Sequence, residues 1–193
     1  MNVQSMTKKA EILAGTMALI ALEGVNDSPM SKIAKNINVA VGTIYHYFKS
    51  KEEIINEIYH SIKKNVGDVI VENAHGDADY KQEFKKVTLA IYNYYKSHPV
   101  EYSFLLQVEH SPIITAQNRA QCDGYFAPVF DFYQKGIDEG VLVEMDLMVM
   151  GILTYNIILS MLEFKIRGME LSDEQVDQSI EFSWRAIAKN DNY

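Results

Sequence analysis

The stretch that decides the fold of this chain is Pro29–Ile58, PMSKIAKNINVAVGTIYHYFKSKEEIINEI. It predicts two short helices, a tight turn between them, and the start of a long third helix. Ser28 is the expected N-cap of the first helix, with Pro29 at the first helical position, where its missing N–H costs nothing. Asn38 falls in the turn, where a positive φ is useful and asparagine tolerates it. Two helices joined by such a turn form a helix-turn-helix, whose second helix can enter the DNA major groove.

The second helix of this motif is expected from about Ala40 to Tyr47 and carries the candidate contacts to bases. Val41 can meet a thymine methyl group, Thr43 can bond a base or a phosphate, and His46 can bond a purine edge. For any single residue the alternative is a packing or solvated role. The spacing of the whole set favours DNA binding.

Many positions of this stretch match a known sequence pattern at fixed spacing. The matching residues are Ile33-Ala34, Val39, Gly42-Thr43-Ile44-Tyr45, Tyr47-Phe48, Lys51-Glu52 and Ile54. In these positions the stretch resembles the DNA-binding domain of the TetR family of bacterial transcriptional regulators. Two positions depart from the family pattern. Asn38 stands where the family has glycine, and Ala40 stands where it has serine, so the second helix lacks a side-chain N-cap.

The resemblance implies an all-α protein with two parts: an N-terminal three-helix helix-turn-helix DNA-binding domain, residues 1–52, and a C-terminal helical ligand-binding and dimerisation domain, residues 53–193. Tyr45, Tyr47 and Lys51 match positions at which the family contacts phosphate, and Lys51 also lies at a helix N-terminus, where backbone N–H groups favour an anion. The implied DNA-binding residues are Ser31, Val41, Gly42, Thr43, Tyr45, His46, Tyr47 and Lys51.

The rest of the chain is also expected to be helical, with nine or ten helices in all and no strand. Thr7 is the expected N-cap of the first helix, which ends near Gly24. Ser172 to Gln175 forms a capping box at the start of the final helix, to about Ala188. The helices between are expected at Lys51 to about Asn73, Lys81–Ser97, Pro99–Val108, Ile114–Asp138 with an interruption or kink at Pro128, and Asp146–Arg167.

Composition indicates a globular protein, and the charge distribution along the chain bears on whether it can bind DNA. The chain is 48% hydrophobic and 23% charged, and its one cysteine, Cys122, excludes an internal disulfide and fits a reducing cytoplasm. The net charge is −8, but the residues through Lys64 carry +2 and the remainder −10. A mildly basic head on an acidic body allows DNA contact by the head alone.

Two apolar runs imitate membrane or export signals. The run Ile12–Leu22 follows two lysines, but Glu11 interrupts the junction between the lysines and the run, and no A-x-A cleavage site follows. The run Leu147–Leu162 would span about 24 Å, less than the roughly 30 Å of a hydrocarbon core. We therefore expect a cytoplasmic protein without a membrane partner, and a helix at 147–162 that is buried all round in protein.

The part after residue 52 is rich in aromatic residues, and helices that should converge carry them. Buried tyrosine hydroxyls need partners, so a cluster of them indicates water or a ligand nearby. The alternative is that these side chains are ordinary core. The expected ligand-binding residues are Tyr92, Tyr95, Phe104, Gln107, Tyr125, Phe126 and Tyr155.

No motif for catalysis, a cofactor or a metal is found in the sequence. There is no phosphate-binding loop, no dinucleotide fingerprint and no G-x-S-x-G. Glu109-His110 could ligate a metal, but a solvated pair at a helix end is the simpler interpretation. The histidines His46, His60, His75, His98 and His110 lack metal-ligand spacing.

These observations predict a homodimeric transcriptional repressor, not an enzyme, that binds double-stranded DNA and is released by a small-molecule effector. The alternatives are a DNA-binding regulator controlled by a protein partner or without a ligand, and, from another class, a helical enzyme carrying a head-like bundle. We expect the dimer to form through the last two helices. Ile180, Trp184 and Ile187 would meet their symmetry mates in a four-helix bundle.

Overall fold

The computed structural model describes residues 7–74, 76 and 79–189, and the predicted all-α fold is confirmed there. An isolated bridge between Leu142 and Ala188 is the one strand-like pairing among these residues. His75 lies outside the described residues. The helices are α1 Lys8–Glu23, α2 Met30–Asn36, α3 Val41–Tyr47, α4 Lys51–Asn73, α5 Tyr80–Ser97, α6 Pro99–Val108, α7 Ala116–Asp123, a 3₁₀ turn Gly124–Phe126, α8 Ala127–Asp138, α9 Leu147–Ile166 and α10 Asp173–Ile187.

Local sequence signals fix several helix ends as predicted. The Thr7 hydroxyl accepts a hydrogen bond from the Ala10 N–H at 3.3 Å and so caps α1. Ser172 and Gln175 form the expected reciprocal capping box of α10. Asn38 has a φ of 55°, the left-handed conformation that ends α2 and turns the chain toward α3.

Two predicted boundaries are wrong. Pro29 rather than Ser28 is the N-cap of α2, because the Ser28 hydroxyl donates to the Gly24 carbonyl at 2.7 Å and is committed to the preceding loop. The helix expected over 114–138 is two helices, separated by the 3₁₀ turn Gly124–Phe126. Pro128 lies in the first turn of α8, where it has no intrahelical hydrogen bond to remove.

The described chain packs as two compact units. The first unit consists of residues 7–64 and 98–122, and the second consists of residues 65–97 and 123–189. In the first unit α1 packs along α6 and on α2, and α2 packs on α3. Its core includes Ile12, Ile20, Ile33, Ile44, Phe48, Ile54, Ile55 and Phe104.

The second unit is built around α9, which packs on α5, α8 and α10. Trp184 of α10 stacks at a tilt on Phe84 of α5, with ring centroids 5.7 Å apart. Ile180, Trp184 and Ile187 are all buried inside this unit. The expectation that these three residues face a second copy is therefore wrong, because α5 and α9 already cover them.

Helix α9 is not buried all round. Met150, Thr154 and Ile158 face inward, whereas Ile152 and Leu153 are each 54% exposed. Among the described residues it is the one helix long and apolar enough to cross a membrane, and 28% of its most apolar 18-residue window is buried within the chain. One apolar face of α9 is therefore left on the surface of the second unit.

Candidate nucleic-acid interface

Helix α3 has one buried side and one open side. Ile44 is 0% exposed and anchors the helix, whereas Tyr45 is 53% exposed and Tyr47 is 41% exposed. His46 is also exposed, and its ring meets the Tyr47 ring edge-on at 5.3 Å. Gly42 is exposed, with open space where a Cβ would lie. The open side can therefore approach a flat or grooved partner closely.

The turn before α3 holds this face in place through backbone hydrogen bonds. The Val39 N–H donates to the Ala34 carbonyl at 2.9 Å, and the Asn38 N–H donates to the Lys35 carbonyl at 3.2 Å. Ala40 is the N-cap of α3 and makes no side-chain cap, as its methyl group predicts. Of the other predicted DNA contacts, Val41 and Thr43 are half-buried and Ser31 is exposed on α2.

Lys51 differs from the other predicted contacts because its ammonium group already has a partner. The residue is half-buried, and its Nζ donates to the Val25 carbonyl at 2.9 Å. It therefore ties the start of α4 to the loop between α1 and α2. A hydrogen bond from the backbone N–H of Glu52 itself, and then one from the Ser50 hydroxyl, lower the pKa of the Glu52 carboxyl. The anion-favouring end of α4 thus already serves a carboxylate of the chain itself.

The other lysines near α3 fall into two groups. Lys9 pairs with Glu57 at 2.7 Å, and Lys32 pairs with Glu23. Lys35 and Lys49 are exposed, and neither ammonium group has an ion-pair partner among the residues described. These two lysines supply unpaired positive charge beside α3. The sequence signal for Lys49 was its place two residues after the end of α3.

Three of the predicted ligand-binding residues meet in the second unit. The hydroxyl oxygens of Tyr95 on α5 and Tyr155 on α9 lie 2.6 Å apart and share a hydrogen bond. The ring of Phe126 meets Tyr155 edge-on, with centroids 6.2 Å apart. We call Tyr95, Phe126 and Tyr155 the aromatic cluster.

The remaining predicted ligand residues lie elsewhere. Tyr92 is buried, with the Lys96 Nζ 5.7 Å from its ring centroid. Tyr125 lies against Gly67 of α4, where an added Cβ would come within 2.6 Å of the Tyr125 Cβ. Phe104 is buried in the first unit, and Gln107 of the same unit is exposed beside Gly24.

Sequence reasoning overlooked a second polar contact of α9. The hydroxyl of Tyr133 on α8 lies 2.8 Å from the Thr154 hydroxyl, which also donates to the Met150 carbonyl. Burial raises the pKa of Tyr133 to about 12. The only sequence signal for this role of Thr154 was a hydroxyl residue within an apolar run. Among the described residues, no three His, Cys, Asp or Glu side chains are grouped to hold a metal.

Comparison with known proteins agrees with this architecture over nearly the whole chain. Residues 12–58 match the family model for bacterial regulatory proteins of the tetR family, and residues 79–188 match that for a tetracyclin repressor-like C-terminal domain. An uncharacterized HTH-type transcriptional regulator of Haemophilus influenzae is 28% identical over 96% of this chain and 99% of that protein.

Solved structures show the same fold. A TetR-family transcriptional regulator from Haemophilus influenzae is 26% identical, with a TM-score of 0.77 over 94% of this chain and 96% of that one. A TetR family transcription regulator from Marinobacter aquaeolei is 18% identical, with a TM-score of 0.85 over 95% and 96% of the two chains. The second likeness concerns the fold alone.

The bond between Lys51 and Val25 generates a stability prediction. Lys51→Met removes the ammonium donor and leaves the half-buried carbonyl without it, which should cost about 1 kcal/mol. For a chain of this size that lowers Tm by about 2–4 °C. Lys49→Met is the matched control, since its exposed ammonium group has no such bond and Tm should stay within about 2 °C. Calorimetry that finds the same Tm for the two variants would show that the Lys51 bond adds nothing.

Proposed function

Because this chain belongs to the TetR family of bacterial transcriptional regulators, we propose that it is a repressor which binds a palindromic operator as a homodimer and is released by a small-molecule ligand. The observation that carries DNA binding is the open side of α3, with Tyr45, His46 and Tyr47 exposed on a helix anchored by Ile44. A DNA-binding regulator acts where the chromosome is, so the proposed location is the bacterial cytoplasm.

In this proposal α3 lies in the major groove, and its residues divide into two roles. Val41, Thr43 and His46 read base edges, by an apolar contact or by hydrogen bonds. Gly42 lets the backbone come close to the bases. Phosphate contacts come from Ser31, Tyr45, Tyr47, Lys35, Lys49 and Lys51.

Lys51 serves phosphate less directly than Lys49, because its ammonium group is engaged by the Val25 carbonyl. Phosphate contacts position the protein on any duplex, whereas base contacts give sequence preference. Changes at the two lysines should therefore alter affinity for every duplex, whereas changes at His46 and Thr43 should alter sequence preference.

The DNA prediction separates these roles. Selection from random duplex DNA should yield a palindrome, and His46→Ala or Thr43→Ala should relax preference at particular base pairs by about 1–3 kcal/mol each. Lys49→Ala should weaken binding to all duplexes alike and flatten the salt dependence by about one unit per half-site. The matched control is Lys86→Ala, an exposed lysine of α5, which should bind as the wild type does. Unchanged affinity and salt slope in Lys49→Ala would contradict the docking.

The proposed homodimer rests on the exposed apolar residues of α9 and α10. Phe182 of α10 is 69% exposed, and α9 exposes residues at helical spacing. Exposed apolar side chains grouped on one helix are typical of a protein interface. A second copy of the same surface gives a two-fold dimer, which a palindromic operator requires. The exposed large hydrophobic residues of the two helices are Met148, Val149, Ile152, Leu153, Phe164, Ile166 and Phe182.

The dimer prediction uses exposed positions, so that the fold of the monomer is spared. Ile152→Asp combined with Phe182→Asp should place unpaired charges in the interface and shift sedimentation at micromolar concentration from dimer to monomer. Val71→Asp is the control, because Val71 is 61% exposed on α4 and should leave the dimer intact. A wild-type chain that is folded and monomeric at that concentration would contradict the dimer.

The proposed ligand site is the aromatic cluster. Its hydroxyl pair is a donor and acceptor set among apolar rings, the arrangement that orients a largely apolar ligand with one or two hydrogen bonds. Tyr92 and Tyr125 belong to the same unit and stay predictions for this role. Phe104 and Gln107 stay predictions for this role and lie in the first unit. Regulation by a protein partner, or no ligand at all, is the alternative.

The ligand prediction is a thermal shift with a genetic control. An apolar, aromatic or cationic compound that binds this site should raise Tm by mass action. It should also weaken binding to the selected duplex, and that duplex should lower the affinity for the compound by the same factor. Tyr155→Ala should abolish the shift, whereas Tyr45→Ala, on the exposed side of α3, should keep it. Stabilisation by hydrophilic anions only, or an unchanged shift in Tyr155→Ala, would remove this site from consideration.

A further inference from the structure

One face of α4 is tied to the segment 109–118 by polar side chains. Asn56, Tyr59 and Lys63 lie on this face, three and four residues apart, and all three bind that segment. All of these residues belong to the first unit, together with α3. The segment connects α6 to α7 and enters the first turn of α7.

Asn56 uses its whole hydrogen-bonding capacity in this contact. Its amide nitrogen donates to the Ile113 carbonyl at 2.7 Å and to the Glu52 carbonyl at 2.8 Å. Its amide oxygen accepts from the Thr115 N–H at 3.1 Å and from the Asn118 side chain at 3.0 Å. A side-chain amide has two donors and two acceptor positions, so Asn56 is saturated.

Asn118 closes the contact from the other side. It is 9% exposed, and its amide nitrogen donates to both the backbone oxygen and the side-chain oxygen of Asn56, at 2.9 and 3.0 Å. The Asn118 N–H donates to the Thr115 hydroxyl at 3.1 Å, which holds Asn118 in place. We call Asn56 and Asn118 the amide pair.

A charged contact two turns along α4 repeats the arrangement. The Tyr59 hydroxyl donates to Glu109 at 3.1 Å, and the Lys63 ammonium group pairs with Glu109 at 3.0 Å. The Lys63 residue is 5% exposed, so the lysine side of this ion pair is shielded from water. Burial is the main cause that raises the pKa of Tyr59 to about 12. The segment is thus fixed to α4 at two levels, not at one.

A cleft of about 330 Å³ lies beside the amide pair, lined by Asn56, Glu57, His60, Thr115, Gln117, Asn118 and Gln121. Its central polar groups are already engaged. The two asparagines bind each other, and Glu57 pairs with Lys9 at 2.7 Å. The cleft is therefore better explained as the solvent-exposed edge of the contact between α4 and residues 109–118 than as a ligand site.

The contact between α4 and residues 109–118 affects the orientation of α3, because α4 begins only four residues after α3 ends. Phe48 between them is 1% exposed, and Lys51 is bonded to the Val25 carbonyl. The direction of α4 therefore fixes the direction of α3. We propose that Asn118, acting through Asn56, is a positioning residue that sets the direction of α4 within the DNA-binding unit, and hence the half-site spacing that two copies prefer. This inference rests on the proposed binding of two half-sites.

The test measures spacing preference rather than affinity alone. Fluorescence anisotropy would follow binding to the duplex selected by the wild type and to copies with one base pair added or removed between the half-sites. Wild-type protein should lose about tenfold or more in affinity when the spacing changes. In Asn118→Ala that ratio should shrink by about fivefold, because α4 is no longer held in one direction.

Two further variants make the test decisive. Asn118→Asp keeps the shape of the side chain but removes both donated hydrogen bonds, so it should shrink the ratio as Asn118→Ala does. Gln121→Ala, an exposed change one turn along α7 at the same cleft, should keep the wild-type ratio. An unchanged ratio in both Asn118 variants, an equal loss at every spacing, or failure of both to fold would assign Asn118 to stability and overturn the inference. A wild type that selects no paired half-sites would refute the proposed function instead.

Discussion

The structure depends on the burial of a few apolar side chains around a very short helix. Helix α3 has seven residues, too few to be stable alone in water. It exists because Ile44 is fully buried and because Phe48, directly after it, is buried as well. One side of α3 therefore packs on the core, and the other side, with Tyr45, His46 and Tyr47, is exposed to solvent. Every functional claim about DNA depends on this division.

The same constraint explains why the DNA-binding part extends beyond the helix-turn-helix. Helix α4 contributes Ile54, Ile55 and Ile58 to the core on one face. On another face it carries polar side chains that bind residues 109–118, and α6 packs along α1. The contacts thus group α6 and α7 with α3, although they are distant in sequence. Helix α3 therefore belongs to a compact unit that is larger than the helix-turn-helix.

Much of the fold could be predicted from the sequence because local chemistry decides it. Asn38 at the turn, Thr7 at the start of α1 and the capping box at Ser172 are local signals, and all three are confirmed. Ser28 failed as a cap because its hydroxyl has two local partners to choose from, and it donates to the Gly24 carbonyl four residues earlier instead of accepting from α2. The periodicity of α10 correctly marked Trp184 as buried, but periodicity does not say what covers a face.

The candidate sites show the same limit. Spacing identified the residues of α3, yet only the structure shows that the Lys51 ammonium group is bonded to Val25 while that of Lys49 is exposed. Likewise Tyr95 and Tyr155 are 60 residues apart, and Asn56 and Asn118 are 62 apart. Partners at such separations are set by tertiary packing, which composition and periodicity do not encode residue by residue.

The central claim is that α3 reads the major groove, and methylation interference tests it most directly. Guanine N7 lies in the major groove and adenine N3 in the minor groove, so methyl groups at the two atoms distinguish the grooves. The account predicts that N7 methylation of the selected duplex blocks binding in two clusters about one helical turn, roughly 10 base pairs, or a multiple of it apart. Interference at adenine N3 alone, or at neither atom, would contradict it.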